Sequence, residues 1–86
     1  MKLKGAVIKA QGVTFAVILV KMSIVNSQEQ SEKSVNSLMK YFPDMPIVLM
    51  AQDEKGNSKY MGRQDIIEFL ANVHPSQIPW KEYTFN

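Results

Sequence analysis

The chain has 86 residues, a formal net charge of +2 and a hydrophobic fraction of 45%, which predicts one small globular domain with a single core. It contains no cysteine, which excludes disulfides, thiolate nucleophiles and cysteine-ligated metal sites. The apolar run over residues 13–20 is too short to span a membrane, and Lys9 and Gln11 interrupt any signal-peptide core. We therefore expect a cytoplasmic protein.

Residues 1–25 predict a β-hairpin. A strand over 3–10 leads through a Gln11-Gly12 turn into a long second strand over 13–25, which is rich in valine, isoleucine and phenylalanine. The second strand is apolar on both sides, so we expect it to lie inside the sheet.

The same hairpin carries lysines and no acidic residue, which makes it the basic end of the chain. This asymmetry favours a polyanion such as a nucleic acid as a partner. Lysines are equally common at solvated strand edges, where they discourage unwanted pairing. The lysines concerned are Lys2, Lys4, Lys9 and Lys21.

Residues 27–42 predict a helix. Ser27 followed by Gln30 matches a capping box, in which the serine oxygen and the glutamine side chain each satisfy a free backbone amide. The Phe42-Pro43 pair ends this helix, because a residue that precedes proline is excluded from the helical region.

Residues 46–62 predict a second hairpin, which consists of an apolar strand, a turn containing Asp53 and Gly56, and a shorter strand. Residues 63–73 then predict a second helix, because their apolar residues recur on one side. The apolar residues of that side are Ile66, Phe69, Leu70 and Val73.

Residues 74–86 form a tail with a heavy apolar load, and Pro75 and Pro79 exclude a regular helix there. Such a tail is expected to dock, either on its own chain or on a second copy.

These elements predict an α+β domain of the order ββαββα. The crossover through the first helix makes the two strands that it joins parallel. The expected architecture is a mixed four-stranded sheet with both helices on one face and the tail docked. The other sheet face would then need the tail or a second subunit to cover it.

Met45-Pro46, the following strand, the Gly56 hairpin and the helix IIEFLANV resemble the closing half of thioredoxin-like folds, including glutathione transferase N-terminal domains. The resemblance implies a thioredoxin-like fold with a cis proline at Pro46. The missing cysteines exclude its redox chemistry. The run GRQDIIEFLANVHPSQIPWKEYTF also resembles small uncharacterised bacterial proteins, which implies no residue roles.

The predicted contact surface combines the apolar sheet face with the tail. Its residues are Phe15, Val17, Trp80, Tyr83 and Phe85. Tyr60 and Arg63, at the start of the second helix, form a candidate anion corner, although Arg63 is also placed to pair with Asp65 on the surface.

We expect a non-catalytic interaction module that forms homo-oligomers or binds another protein. The alternative is a nucleic-acid-binding protein that uses the basic hairpin with Trp80 or Tyr83. A third hypothesis is a thioredoxin-like small-anion binder without redox chemistry. His74 is the single histidine, and no nucleophile–base pair, metal constellation or cofactor loop is visible, so we expect neither catalysis nor a cofactor.

Overall fold

The computed structural model describes residues 2–85, which form a small α+β domain. The elements in chain order are β1 (Lys2–Ala10), β2 (Val13–Leu19), α1 (Met22–Val25), α2 (Gln28–Leu38), β3 (Ile47–Gln52), β4 (Ser58–Met61), α3 (Gln64–Leu70), a 3₁₀ helix (Pro75–Gln77) and β5 (Lys81–Thr84).

The sheet is mixed and has the strand order β4-β3-β2-β1-β5. The central pair β2–β3 is parallel and joined through the helices, as the crossover argument predicts, and the other neighbours are antiparallel. Residues 2–85 contain five strands rather than the predicted four. The additional strand is β5, because the tail pairs with β1 from Lys2 opposite Thr84 to Gly5 opposite Lys81.

The second strand is shorter than the predicted range 13–25. Val20 still donates its backbone N–H to the carbonyl oxygen of Met50 at 2.8 Å, but residues 22–25 then form the single turn α1. The β-branched residues of this segment favour a strand. Burial of Val25, which is 1% exposed, overrides that local preference.

The two main helices lie on opposite faces of the sheet, so the prediction that both cover one face is wrong. Because side chains alternate along a strand, Val17 and Ile18 of β2 point to opposite faces. Val17 packs in one core cluster with Ile66 of α3, whereas Ile18 packs in a second cluster with Leu38 of α2. Each apolar face of the central strands is therefore covered by its own helix.

The start of α2 is fixed by the predicted cap. Ser27 Oγ accepts a hydrogen bond from the backbone N–H of Gln30 at 3.2 Å. Ser31, which is 2% exposed, donates its hydroxyl to the carbonyl oxygen of Ile24 at 2.7 Å and ties α2 to α1. The longest helix, α2, has 11 residues, so no helix within residues 2–85 is long and apolar enough to cross a membrane.

Two tight turns set the strand registers. Gln11 and Gly12 have φ values of 53° and 78°, the left-handed pair that a two-residue hairpin turn requires. In the β3–β4 turn, one carboxylate oxygen of Asp53 accepts the backbone N–H groups of Lys55 at 2.9 Å and Asn57 at 2.8 Å. These bonds, led by the one from Asn57, lower the pKa of Asp53 below its usual value.

Candidate interaction surface

Phe15 and Val17, two of the predicted contact residues, are core residues instead. They lie on the side of β2 that α3 covers and are 1% and 0% exposed. The ring of Phe15 meets the ring of Phe69 edge-on, with centroids 6.3 Å apart. The prediction that they belong to an exposed sheet face is wrong, because α3 covers the face that was predicted to carry no helix.

Trp80 is half-buried where the tail passes the sheet. Its indole Nε1 donates a hydrogen bond to the carbonyl oxygen of Pro75 at 3.0 Å, which fixes the ring against the 3₁₀ helix. Ile78 is 4% exposed and packs in the same core cluster as α3. The tail therefore docks on its own chain.

The other two predicted tail residues, Tyr83 and Phe85, meet two rings from the segment after α2. We call this cluster the aromatic corner (Tyr41, Phe42, Tyr83 and Phe85). Phe85 stacks on Tyr41, with centroids 3.9 Å apart, and lies parallel to Tyr83, with centroids 6.1 Å apart. Phe42 stands edge-on to Tyr83 at 5.4 Å and to Phe85 at 6.3 Å.

Local backbone geometry positions both halves of the corner, namely Tyr41 and Phe42 after α2 and Tyr83 and Phe85 in the tail. The carbonyl oxygen of Leu38 accepts the backbone N–H groups of Tyr41 at 2.9 Å and Phe42 at 3.0 Å, which tightens the end of α2. In β5, Tyr83 lies opposite Leu3 on the face that α2 covers. The alternation of side chains brings Phe85 to the same face.

Within the aromatic corner, only Phe42 is fully buried, whereas the other three rings are half-buried. Lys40 Nζ lies 5.0 Å from the centroid of the Tyr41 ring, a cation–π distance. Met39, two residues before Tyr41 in sequence, is 54% exposed. The corner therefore presents aromatic and apolar surface to solvent, which the covered sheet faces do not.

Two of the predicted nucleic-acid contacts line one groove. Lys2 and Lys21, together with Lys33 of α2, surround a groove of about 480 Å³ whose lining includes Leu3 and Ile18 and no acidic residue. The groove adjoins the aromatic corner through Leu3, which pairs with β5. Lysines and rings are therefore neighbours at this end of the sheet.

The remaining predicted lysines stand elsewhere. Lys9 is at the far end of β1 from Lys2, a separation of about 23 Å for seven residues of strand. Lys4 points to the face opposite Leu3, because neighbouring side chains of a strand alternate. The basic hairpin is thus split between two ends of the sheet rather than forming one continuous patch.

Carboxylates partly neutralise the groove. Lys33 Nζ lies 3.2 Å from Glu29 Oε1, and Lys2 Nζ lies 4.0 Å from Glu82 Oε1. Both pairs are exposed, so each contributes less than about 1 kcal/mol. Lys21 has no ion-pair partner within residues 2–85, so it is the groove lysine most available to an anion.

The candidate anion corner at Arg63 is already paired within the chain. Arg63 donates Nε and Nη2 to the two carboxylate oxygens of Asp65, at 2.8 and 2.7 Å. This bidentate contact lowers the pKa of Asp65 and raises the pKa of Arg63. Burial raises the pKa of Tyr60. The local charge is balanced, which weakens the attraction of this corner for a free anion.

Across residues 2–85, no three histidine, cysteine, aspartate or glutamate residues are grouped so that they could hold a metal ion. A groove of about 570 Å³ on the other side of α2 is lined partly by Gln28, Ser31 and Glu32. It contains a single titratable group and no nucleophile–base pair.

Sequence reasoning did not single out Tyr41 and Lys33 as parts of a site. A signal for Tyr41 exists in its place just before the Phe42-Pro43 helix stop, which leaves its ring at a helix end. No comparable signal marks Lys33, because its position beside Lys2 and Lys21 depends on how α2 packs on the sheet.

No protein-family model, no curated protein and no solved structure matches this chain. The thioredoxin-like resemblance stays an expectation. The described residues contain no cis peptide bond, so Pro46 is trans rather than the cis proline that the resemblance implies.

Proposed function

We propose that this protein is a non-catalytic interaction module that self-associates through the aromatic corner. The observation that carries the proposal is the stack of Tyr41, Phe85 and Tyr83, which is held in place by buried Phe42 and is half-open to solvent. Rigid aromatic side chains bury a large area on contact at a low cost in conformational entropy.

Because helices cover both sheet faces, we assign the contact surface to this corner rather than to the sheet. Phe15 and Val17 are buried, whereas Tyr83 and Phe85 are only half-buried and can still contact a partner. The corner is also preformed, because backbone hydrogen bonds and the β1–β5 ladder fix both of its halves. A preformed surface loses little freedom on binding.

Sedimentation velocity at micromolar concentration tests this proposal. We expect the average mass to rise with concentration for the wild-type protein. Phe85→Ser should return the protein to a monomer, because it removes the ring at the centre of the stack. A thermal melt of the variant separates loss of association from loss of folding.

A matched control places a change at the opposite end of β1. Gln11→Glu adds a charge at the exposed β1–β2 turn and should leave self-association unchanged. A wild-type protein that stays monomeric throughout, or a Gln11→Glu variant that dissociates as fully as Phe85→Ser, would contradict the proposal.

The second candidate function is binding of single-stranded nucleic acid, because the groove at Lys21 lies beside the aromatic corner. A basic groove that tracks phosphates next to rings that stack on bases is the usual arrangement for such binding. A fluorescent oligothymidylate titrated at two salt concentrations tests it. Phosphate binding should weaken steeply with salt, and Lys21→Ala should weaken it while Lys9→Ala does not.

A further inference from the structure

β5 covers only half of β1. The β1–β5 ladder ends at Gly5 opposite Lys81, whereas β1 continues to Ala10. We call residues 6–10 the open half of β1, because within residues 2–85 they pair with β2 on one side and with no strand on the other.

The two-residue turn shows which backbone groups face the open side. In such a hairpin the closing pair, Ala10 and Val13, exchanges backbone hydrogen bonds, and hydrogen-bonded pairs then alternate along the ladder. The even-numbered residues of β1 therefore bond to β2. Val7 and Lys9 direct their N–H and C=O groups away from the sheet.

Within the described part of the chain, β5 does not continue along this edge. Extension of the β1–β5 register by two residues would bring Pro79 opposite Val7, and proline has no N–H to donate. Instead, the backbone N–H of Trp80 bonds to the carbonyl oxygen of Ile78 at 2.8 Å, and Ile78 turns into the core. The edge stays available to another strand.

The side chains along this edge favour a particular partner. Val7 is 42% exposed and borders a depression of about 430 Å³ that is also lined by Trp80 and Lys81, with no acidic residue in its lining. Lys9 lies on the same side of β1 as Val7. The apolar side chain of Val7 therefore lies between Lys9 of β1 and Lys81 of β5.

A second copy of this chain is a poor occupant of this edge. Self-pairing would bring Lys9 and Lys81 of both copies together without a compensating carboxylate, and edge lysines oppose such pairing. A segment that pairs with residues 7–10 can place an apolar residue opposite Val7, an acidic residue opposite Lys9 and, where it leaves the ladder, a second acidic residue beside Lys81. We propose that the open half of β1 binds an extended acidic peptide segment as a sixth strand.

Trp80 provides the readout, because it is the single tryptophan of the chain and lines the depression. The full-length protein is titrated with the blocked peptide Glu-Thr-Val-Thr-Glu while tryptophan emission is recorded. We expect a saturable change. The peptide Lys-Thr-Val-Thr-Lys should produce none, and Glu-Thr-Pro-Thr-Glu should bind more weakly because proline removes the central N–H.

Charge reversal tests the assignment of the lysines. Lys9→Glu combined with Lys81→Glu should weaken binding of the acidic peptide about tenfold and create binding of the lysine peptide. Lys55→Glu, in the exposed β3–β4 turn, is the matched control and should change neither. The amide NMR signals of Val7 and Lys9 should shift when the acidic peptide is added.

Three outcomes would overturn the proposal. One is no saturable binding at millimolar peptide. Another is equal binding of the acidic and lysine peptides. The third is a set of peptide-induced shifts at the groove of Lys2, Lys21 and Lys33 rather than at Val7. Each is distinct from failure of self-association at the aromatic corner, because the two sites share only Tyr83 and the test residues Val7, Lys9 and Lys81 lie outside the corner.

Discussion

Phe42 and Tyr83 lie edge-on to each other, with ring centroids 5.4 Å apart, and this contact joins the segment after α2 to the last strand. Phe42 is 4% exposed and Tyr83 is half-buried. The Phe42 ring therefore packs in the core, and the Tyr83 ring that rests against it is partly accessible to solvent. The geometry of the aromatic corner therefore depends on a core residue.

Phe42→Ala should destabilise the protein by about 3–5 kcal/mol, because it removes a buried ring and leaves a cavity under Tyr83. Urea unfolding followed by far-UV circular dichroism measures this change. Met39→Ala is the matched control from the same segment. Its side chain is 54% exposed, so its effect should stay within about 0.5 kcal/mol. Equal effects of the two substitutions would show that Phe42 is not an anchor.

Gly5→Ala should cost about 1–3 kcal/mol in the free energy of unfolding. A Cβ at this position would lie 2.7 Å from Ile18 Cδ1 and 2.9 Å from the carbonyl oxygen of Val17, and the backbone oxygen cannot rotate away. Gly12→Asn is the control, because space is open there and asparagine tolerates the positive φ of the turn. The prediction fails if Gly5→Ala is as stable as the wild type.

The carboxyl groups of Asp53 and Asp65 should titrate below the ordinary value of 3.8. A depressed folded-state pKa contributes stability above the unfolded pKa, and that stability is lost as the pH falls through the folded pKa. Stability linked to these groups should therefore decline only below about pH 4.

Carboxyl carbon NMR shifts measured against pH follow each group separately. Arg63→Ala should raise the titration midpoint of Asp65, because the hydrogen bonds from Arg63 are the main cause of its lowered pKa. The midpoint of Asp53 should stay unchanged. A midpoint for Asp65 that does not respond to this substitution would show that the bidentate pair is absent in solution.

Ser31→Ala should destabilise the protein by about 1 kcal/mol, because it leaves the carbonyl oxygen of Ile24 without its hydroxyl donor. Ser37→Ala, on the exposed side of α2, should be neutral within error. Chemical denaturation of the two variants in parallel provides the comparison. A neutral Ser31→Ala would mean that the link between α1 and α2 does not contribute to stability.

Local patterns predict most of the elements. The turn at Gln11-Gly12, the cap at Ser27 and the apolar run of β3 each depend on chemistry within a few residues, and all three are present. The cap at Ser27 marks the start of α2 correctly, but the predicted end at residue 42 is wrong, because α2 ends at Leu38 and the next residues turn to bury Phe42.

The same local patterns could not predict how the elements pack against one another. Nothing local to residues 64–70 indicates on which sheet face α3 will lie, yet that choice decides whether Phe15 and Val17 are core or contact surface. The pairing of the tail with β1 is also set by distant partners, since Tyr83 must find Leu3. The tail aromatics were recognisable as docking residues, but their ring partners were not.

The most direct test of the central claim is a dilution series of the isotope-labelled protein, followed by backbone and aromatic NMR shifts. If the aromatic corner mediates self-association, the concentration-dependent shifts should centre on Tyr41, Tyr83 and Phe85, and Phe15 should stay constant. Spectra that do not change with concentration, or shifts that centre on residues outside the corner, would contradict it.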